Sequence, residues 1–142
     1  MSELSPFHLA FPVQNIQETE AFFVDYLGCK VGRQAERWID FNFFGHQISA
    51  HLVDTSQEEV VAKNTVDGDA VPTQHFGMVL PWQSWHDLVA RLNAKSITYL
   101  IAPKIRFEGE PGEQATFFIL DPSGNALEFK SFKKPQQLFA RS

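Results

Sequence analysis

An internal repeat constrains the fold of this chain more than any other feature of its sequence. His8 and His75 each stand in an apolar stretch and lie 75 − 8 = 67 positions apart, and helix-like segments begin at Ile16 and Gln83, also 83 − 16 = 67 apart. In both halves an alternating apolar segment precedes a helical stripe, and three more extended segments follow it. The sequence therefore predicts an α+β protein made of two βαβββ modules in tandem.

The elements of the two modules can be placed from their apolar periodicity. Strands are predicted at 7–13, 30–33 or beyond, 37–44 and 46–53 in the first module, and at 74–80, 98–107, Gln114–Leu120 and 125–132 in the second. Asn15 is predicted to cap the first helix, which stops at Gly28, and Ser84 is predicted to cap the second.

A polar segment is expected to join the modules. Residues 55–72 lose the periodicity and gather Thr, Ser, Gln, Glu, Asp, Gly and Pro, which is typical of a connecting loop, although 60–62 could form a short helical turn. The whole chain, 1–142, is then predicted to be one domain, with module one at about 5–54 and module two at about 73–133.

Four polar residues stand in places that the repeat makes equivalent. His8 and His75 lie on the first strand of each module, and His51 and Glu128 lie on the last, each on the face opposite the apolar one. The last pair is 128 − 51 = 77 positions apart, so the second module should hold 77 − 67 = 10 extra residues, most naturally at 103–113. Two imidazoles and a carboxylate from separate strands are the ligand set of a facial triad for Fe(II), and these ligand types also suit Zn(II), Ni(II) or Mn(II).

Each of these residues also has a simpler interpretation. A single histidine on a strand is more often an ordinary core or surface residue than a metal ligand. Glu128 could face solvent or pair with Lys130 or an arginine, because a carboxylate among apolar neighbours needs water, a charged partner or a metal. The metal interpretation is favoured because all four residues lie on the faces opposite the apolar ones.

Composition excludes two classes of partner. The 142 residues carry a formal net charge of −5 and no cluster of Lys or Arg, so neither a nucleic acid nor an anionic membrane surface is expected as a partner.

The sequence also favours a cytoplasmic protein. No apolar run is long enough to span a bilayer, and the first residues lack the basic and apolar regions of a signal peptide. The lone Cys29 agrees with a reducing compartment.

At these residues the sequence resembles the vicinal oxygen chelate superfamily, which includes glyoxalase I, extradiol ring-cleaving dioxygenases and bleomycin-resistance proteins. The resemblance covers 7–132. Its most specific part is 118–129 (FILDPSGNALEF), which is similar to the family's closing motif with its metal-binding Glu. The segment 22–31 (FFVDYLGCKV) is similar to the family's first helix and turn.

The resemblance implies a fold and a ligand set. In this family each module curls its sheet around a cleft and two modules complete one metal site, so we expect curved mixed sheets around a metal cleft, with His8, His75 and Glu128 as ligands. Position 51 separates the subfamilies: His51 would be a fourth ligand in a glyoxalase-like site, or an acid/base beside the metal in a ring-cleaving one. Short members are commonly dimers, so a homodimer is expected.

A further stretch narrows the resemblance. Residues 105–114 (IRFEGEPGEQ), with Phe117 and Phe118, resemble a group of short proteins described as related to extradiol dioxygenases. This implies a metal-dependent enzyme that chelates a small-molecule substrate through two neighbouring oxygens, with Fe(II) favoured and Ni, Zn or Mn as alternatives. One departure is that many ring-cleaving enzymes have a tyrosine on the strand that holds Phe117 and Phe118.

Three residues are predicted to bind substrate. Arg106 could hold a substrate carboxylate through a bidentate contact, or form an ordinary surface salt bridge. Phe107 and Phe117 could wall an apolar pocket or belong to the core, and the same choice applies to Trp38, Phe41 and Phe43. Two other functions stay open, namely a glyoxalase or epimerase-type isomerase or lyase, and a drug-binding protein without chemistry.

Overall fold

The computed structural model of the chain describes residues 4–54 and 62–141. Its elements are β1 (His8–Val13), α1 (Ile16–Ala21) with a π-helical continuation (Phe22–Tyr26), β2 (Lys30–Ala35), β3 (Trp38–Phe43), β4 (His46–Leu52), β5 (Lys63–Val66), β6 (Asp69–Pro72), β7 (His75–Val79), α2 (Trp82–Ala94), β8 (Tyr99–Arg106), β9 (Gln114–Leu120), β10 (Ala126–Phe132) and a 3-10 helix (Pro135–Phe139). The predicted α+β class is confirmed. In the described ranges no helix is long and apolar enough to cross a membrane.

The first module is a four-stranded sheet with a helix packed on one face. Its strand order is β1-β4-β3-β2, with β1 parallel to β4 and the other neighbours antiparallel. The helix side is apolar, and the Phe23 ring stacks on that of Phe41 with centroids 4.9 Å apart. Asn15 caps α1 as predicted, because its side chain accepts a hydrogen bond from the Glu18 amide at 2.8 Å. Gly28, with φ of 73°, follows the helical segment.

The second module repeats this arrangement. Its strand order is β7-β10-β9-β8, and β7 is parallel to β10. Trp85 of α2 is buried against the sheet, where its Nε1 donates a hydrogen bond to the Phe129 carbonyl oxygen at 2.8 Å. Phe117 stacks on Phe129 with centroids 5.4 Å apart. Because both sheets have the same order and the same parallel pair, the repeat predicted from the sequence is confirmed.

The predicted loop between the modules contains a hairpin. Strands β5 and β6 pair antiparallel around a turn at Asp67 and Gly68, whose φ angles are 49° and 83°. Such a turn needs positive φ at both central residues, which Asp-Gly tolerates well. The polar segment that was predicted to be a loop therefore contains a short two-stranded sheet. Of the helical turn predicted at 60–62, residues 60 and 61 lie outside the described residues.

Two further expectations concern the second module. Part of its extra length lies where it was predicted, because residues 107–113 connect β8 to β9 whereas only 36–37 connect β2 to β3. A further part lies outside the predicted region, because 121–125 connect β9 to β10 whereas only 44–45 connect β3 to β4. The predicted Ser84 cap is wrong: α2 begins at Trp82, directly after Pro81, and no side chain caps it. Ser84 therefore lies inside the first turn of the helix.

By its contacts the described chain falls into two compact units, each of which is considered by itself. The first unit comprises residues 4–54 with the turn Asp121–Asn125, and the second comprises residues 62–120 with 126–141. The turn joins the first unit through the Asn125 side-chain amide, which donates to the Pro12 carbonyl oxygen at 2.8 Å. The Ser123 hydroxyl also accepts a hydrogen bond from the Gln14 amide at 2.8 Å.

Candidate metal centre

The second unit places His75 and Glu128 side by side on the face of its sheet opposite α2. His75 begins β7, and Glu128 lies on the neighbouring strand β10, opposite Gly77. The His75 Nε2 atom is 3.3 Å from Glu128 Oε1, and the two side chains are 28% and 16% exposed. Thr116 of β9 donates its hydroxyl to Glu128 Oε2 at 2.6 Å. Two of the four residues predicted from the sequence are therefore in contact.

The hydrogen bonding of His75 decides which ring nitrogen carries a lone pair. Nδ1 lies 2.7 Å from the Pro72 carbonyl oxygen, which can only accept, so Nδ1 carries the proton. In the neutral ring, Nε2 then directs its lone pair toward Glu128. A bond from an imidazolium to a carboxylate is normally about 2.7–2.9 Å long, and the separation here is 3.3 Å.

That separation suits two atoms that share one cation. Ligands about 2.1 Å from a metal and about 100° apart are about 3.2 Å from each other. The Pro72 carbonyl orients the ring and the Thr116 hydroxyl orients the carboxylate, which are the supports that metal ligands commonly have. Within either unit, the described residues gather no group of three or more His, Cys, Asp or Glu. The second unit therefore offers two ligands that fit a divalent metal ion.

Gly77 allows the two strands of this pair to lie close together. A Cβ built at Gly77 would stand 1.6 Å from the Glu128 carbonyl oxygen and 2.6 Å from its carbonyl carbon. Any side chain here would push β7 away from β10 at the position that carries Glu128. At the corresponding position of the first sheet, Ala10 lies opposite Ser49 and its Cβ is accommodated.

Two cationic side chains of β8 share the face of Glu128. Lys104 lies opposite Thr116, and Arg106 follows two residues later. The Lys104 Nζ atom is 2.6 Å from Asp69 Oδ2, and Arg106 forms an ion pair with Asp67, both carboxylates belonging to the β5–β6 hairpin. Arg106 therefore forms the salt bridge that the sequence offered as the alternative to a substrate contact.

The predicted pocket residues of the second unit separate into two groups. Phe117 is fully buried on the helix side and stacks on Phe129, so it takes the core position that the sequence left open as the alternative to a pocket wall. The alternation of β9 instead places Phe118 on the face of the candidate ligands, with its ring centroid 5.1 Å from that of His75. Phe107 is 49% exposed, and the Arg106 guanidinium lies 5.0 Å from its ring centroid.

The first unit carries His8 and His51 on the polar face of its sheet. In the parallel pair of β1 and β4, His8 lies opposite Gln47, and His51 lies opposite Pro12, four residues further along each strand. Trp38 lies beside His51 on this face. The other two aromatic candidates of this unit, Phe41 and Phe43, are buried in the helix-side core.

The register corrects the predicted equivalence of His51 and Glu128. In the second sheet Glu128 lies two residues beyond the partner of His75, and in the first sheet the residue two beyond the partner of His8 is Ser49. The offset is therefore 128 − 49 = 79, not the predicted 77. Alternation shows which face a strand residue takes but not which residue it pairs with, so the sequence could not detect a shift of two.

Sequence reasoning also missed the polar side chains around His8. Its Nδ1 lies 2.9 Å from Gln47 Oε1, and Gln47 Nε2 lies 3.4 Å from Asp40 Oδ2. The Ser49 hydroxyl donates to Asp40 Oδ1 at 2.6 Å. The alternation of β3 and β4 could have shown that these residues face the same side, but their contacts depend on strand pairing.

The turn ahead of Glu128 contains a buried carboxyl group. Asp121 Oδ1 accepts hydrogen bonds from the amides of Ser123 and Asn125 at 2.9 and 2.8 Å. Burial raises the pKa of Asp121, and these hydrogen bonds, together with one from the Asn125 side chain, act in the opposite direction. The Asp-Pro-Ser-Gly-Asn turn is therefore held by hydrogen bonds to the carboxyl group of its own first residue, Asp121.

Tandem βαβββ units, with a histidine on each first strand and a glutamate beside one of them, agree with the resemblance of the sequence to the vicinal oxygen chelate superfamily. The sequence profile of the Glyoxalase/Bleomycin resistance protein/Dioxygenase superfamily matches residues 5–129. The chain belongs to this superfamily, which contains many metal-dependent enzymes. A search of curated proteins finds no match.

Solved structures agree with this assignment. A glyoxalase/bleomycin resistance protein/dioxygenase from Alicyclobacillus acidocaldarius is 32% identical, with a TM-score of 0.78 over 95% of this chain and 96% of that one. The genomically encoded fosfomycin resistance protein FosX from Listeria monocytogenes is 17% identical, with a TM-score of 0.65 over 96% and 98% of the two chains. A mutant of FosX, 18% identical with a TM-score of 0.63 over 98% and 97%, was crystallised with Mn(II) and 1S,2S-dihydroxypropylphosphonic acid. A protein with this fold has thus been crystallised with a divalent metal.

Proposed function

We propose that this protein is a divalent-metal-dependent enzyme whose small-molecule substrate binds the metal through two neighbouring oxygen atoms. The observation that carries the proposal is the pairing of His75 and Glu128, in which an imidazole with its Nδ1 proton on a carbonyl oxygen lies 3.3 Å from a carboxylate. Proteins commonly orient metal-binding histidines in this way. Membership of a superfamily with many metal-dependent enzymes supports the proposal.

His8 is the proposed third ligand. It holds in the first sheet the position that His75 holds in the second, and its Nδ1 also faces an oxygen, that of Gln47. The equivalent of Glu128 is Ser49, which offers neither an imidazole nor a carboxylate, so we favour three protein ligands over four. Two histidines and one carboxylate suit Fe(II) and leave positions open for substrate and oxygen. The finer proposal is therefore a dioxygenase similar to the extradiol ring-cleaving enzymes.

The residues around the ligands would bind and deprotonate the substrate. When bound, the metal supplies a Lewis acid that lowers the pKa of a substrate hydroxyl group. His51 is the proposed acid/base that removes the substrate proton and later returns it. Arg106 would hold a substrate carboxylate in place of the Asp67 carboxylate that it contacts here, and Phe107 would give this group an apolar neighbour.

Metal content tests the proposal directly. The protein should be purified without a metal-binding tag, and its metals should be measured by mass spectrometry before and after anaerobic loading with Fe(II). Stoichiometric iron together with cleavage of a catechol would support the dioxygenase. Tightly held Ni or Zn with no ring cleavage would favour an isomerase, and a protein that takes up no metal would overturn both.

Alanine variants test the ligands one by one. Replacing His8, His75 or Glu128 should weaken metal binding by more than about 100-fold, because each loss leaves an incomplete site. Glu36→Ala, which changes a carboxylate in the exposed β2–β3 turn, is the matched control and should bind metal normally. His51→Ala should keep the metal affinity and lose activity, and a loss of metal would make His51 a fourth ligand.

We also propose that the protein is a cytoplasmic homodimer. The sheet orders leave β2 and β8 at edges, where backbone groups can pair with another chain. Light scattering after size-exclusion chromatography should give twice the mass of the 16.1 kDa chain. A monomer at every concentration would contradict this assembly.

A further inference from the structure

We infer that Asp40 is a positioning residue that acts through Gln47 to fix the proton of His8 on Nδ1, so that Nε2 presents its lone pair to a metal. The inference rests on the proposed role of His8 as a ligand and adds a residue to it. The three side chains stand on the adjacent strands β3, β4 and β1 and face the polar side of the first sheet. Asp40 acts through Gln47, because the Gln47 amide has its oxygen 2.9 Å from His8 Nδ1 and its nitrogen 3.4 Å from Asp40 Oδ2.

Asp40, Gln47 and His8 form a relay of polar contacts, and the chemistry of Asp40 decides which end of the Gln47 amide faces His8. An ionised carboxylate can only accept hydrogen bonds. Its Oδ1 accepts from the Ser49 hydroxyl at 2.6 Å, and its Oδ2 lies 3.4 Å from the Gln47 side-chain nitrogen. Gln47 must therefore turn its NH2 group toward Asp40 and its oxygen toward His8. That oxygen is 2.9 Å from His8 Nδ1, which must then carry the proton.

Gln47 alone would not determine which ring nitrogen of His8 carries the proton. A glutamine side chain has a donating end and an accepting end, and a rotation of about 180° exchanges them. With its NH2 group toward His8, Nδ1 would have to accept and the ring proton would move to Nε2, which could then not bind a metal. Asp40 excludes that orientation through its Oδ2 atom, whereas its Oδ1 atom accepts the separate hydrogen bond from Ser49, which is itself only 6% exposed.

The test is nitrogen NMR of the histidine rings in the metal-free protein, in mildly alkaline solution where imidazoles are neutral. In the wild type, His8 should show a protonated Nδ1 and an unprotonated Nε2. In Asp40→Leu this pattern should be lost, with a large share of the signal moving to the tautomer protonated on Nε2. His75 should not change, because the Pro72 carbonyl oxygen holds its proton, and it serves as the internal control.

Two further variants make the result decisive. Ser49→Ala removes the other partner of Asp40 and leaves the relay in place, so His8 should keep its wild-type tautomer. Gln47→Leu removes the middle of the relay and should give the same loss as Asp40→Leu, which also covers the case that Asp40→Leu fails to fold. A His8 ring that stays protonated on Nδ1 in either Leu variant would overturn the inference.

Metal affinity supplies a second readout. Asp40→Leu should weaken the binding of Fe(II) or Mn(II) by about 10–100-fold, as is usual when a residue that orients a ligand is lost. Ser49→Ala should stay near the wild type, and an equal loss in both variants would argue against the relay. Failure of the proposed function would be seen separately, as a His8→Ala protein with unchanged metal affinity, whereas the tautomer of the metal-free protein does not depend on metal binding.

Discussion

The two sheets hold their first-strand histidines in the same position but orient them by different means. The ring of His75 is held by the main-chain oxygen of Pro72, and the ring of His8 by the side chain of Gln47. A main-chain oxygen survives almost any substitution, whereas a glutamine needs a neighbour to hold it. The repeat therefore conserves the place of each histidine, while local side chains decide how it is held.

The last strands of the two sheets differ more strongly. Glu128 in the second sheet corresponds to Ser49 in the first, and Thr116 supports Glu128 through a hydroxyl group. Among the residues that the structure describes, only the second unit thus pairs an imidazole with a carboxylate. The comparison indicates that one fold repeated twice has produced one ligand pair and one single candidate ligand.

The largest effect on stability is expected at Gly77 of β7, whose equivalent in β1 is Ala10. Gly77→Ala forces a Cβ against the Glu128 backbone, so we expect it to lower the free energy of unfolding by about 1–3 kcal/mol and to weaken metal binding. Ala10→Gly, the reverse change in the first sheet, should cost no more than about 1 kcal/mol. Urea denaturation and metal titration measure both, and equal effects would remove the distinction between the sheets.

The support of Glu128 can be removed with little change of shape. Thr116→Val deletes the hydroxyl that holds Oε2 and should weaken metal binding by about tenfold. Thr116→Ser keeps the hydroxyl and is the control, which should stay near the wild type in a competition assay with a chelator. A wild-type affinity in Thr116→Val would show that the carboxylate needs no support from β9.

The starts of the two helices offer a comparison of stability alone. Asn15→Ala removes the side-chain cap of α1 and should lower the free energy of unfolding by about 1 kcal/mol. Ser84→Ala in α2 should change it by less than about 0.5 kcal/mol, since no side chain caps that helix. Thermal unfolding of the two variants checks the difference, and a larger loss in Ser84→Ala would contradict the observed helix start.

The smallest effect concerns the turns between the third and fourth strands of each module, which are Phe44–Gly45 and Asp121–Asn125. Burial raises the pKa of Asp121 above its usual value of 3.8, so between that value and the folded-state pKa the folded chain holds a proton that the unfolded chain releases. The contribution of this group to stability is therefore full below pH 3.8 and falls as pH rises through the folded-state pKa. Asp121→Asn does not titrate, so its stability deficit relative to the wild type should shrink as pH rises. A deficit that grows would mean that the pKa is lowered.

The sequence was enough to find the repeat, the four strands of each module and the candidate ligands of the second unit, but not the β5–β6 hairpin. Alternation placed His75 and Glu128 opposite the apolar face, and the structure finds them in contact. The same rule puts Phe117 and Phe118, two adjacent aromatic residues, on opposite faces of one strand, but it does not say which of the two faces the ligands. Composition and periodicity did not decide which of them faces the ligands, since both rings suit a core equally well.

The sequence by itself determined the order of the helices and strands. It also determined which segments alternate and which face of its strand each polar residue takes. These properties depend on the backbone period and on burial, both of which are local. Only the tertiary structure decided the partners. Strand register made Ser49, and not His51, the residue of the first sheet that is equivalent to Glu128 of the second. It also placed Asp40 and Gln47 on strands next to each other, on the same face as His8. Hydrogen bonds between strands join residues that are distant in the chain, so the sequence alone could not give these partners.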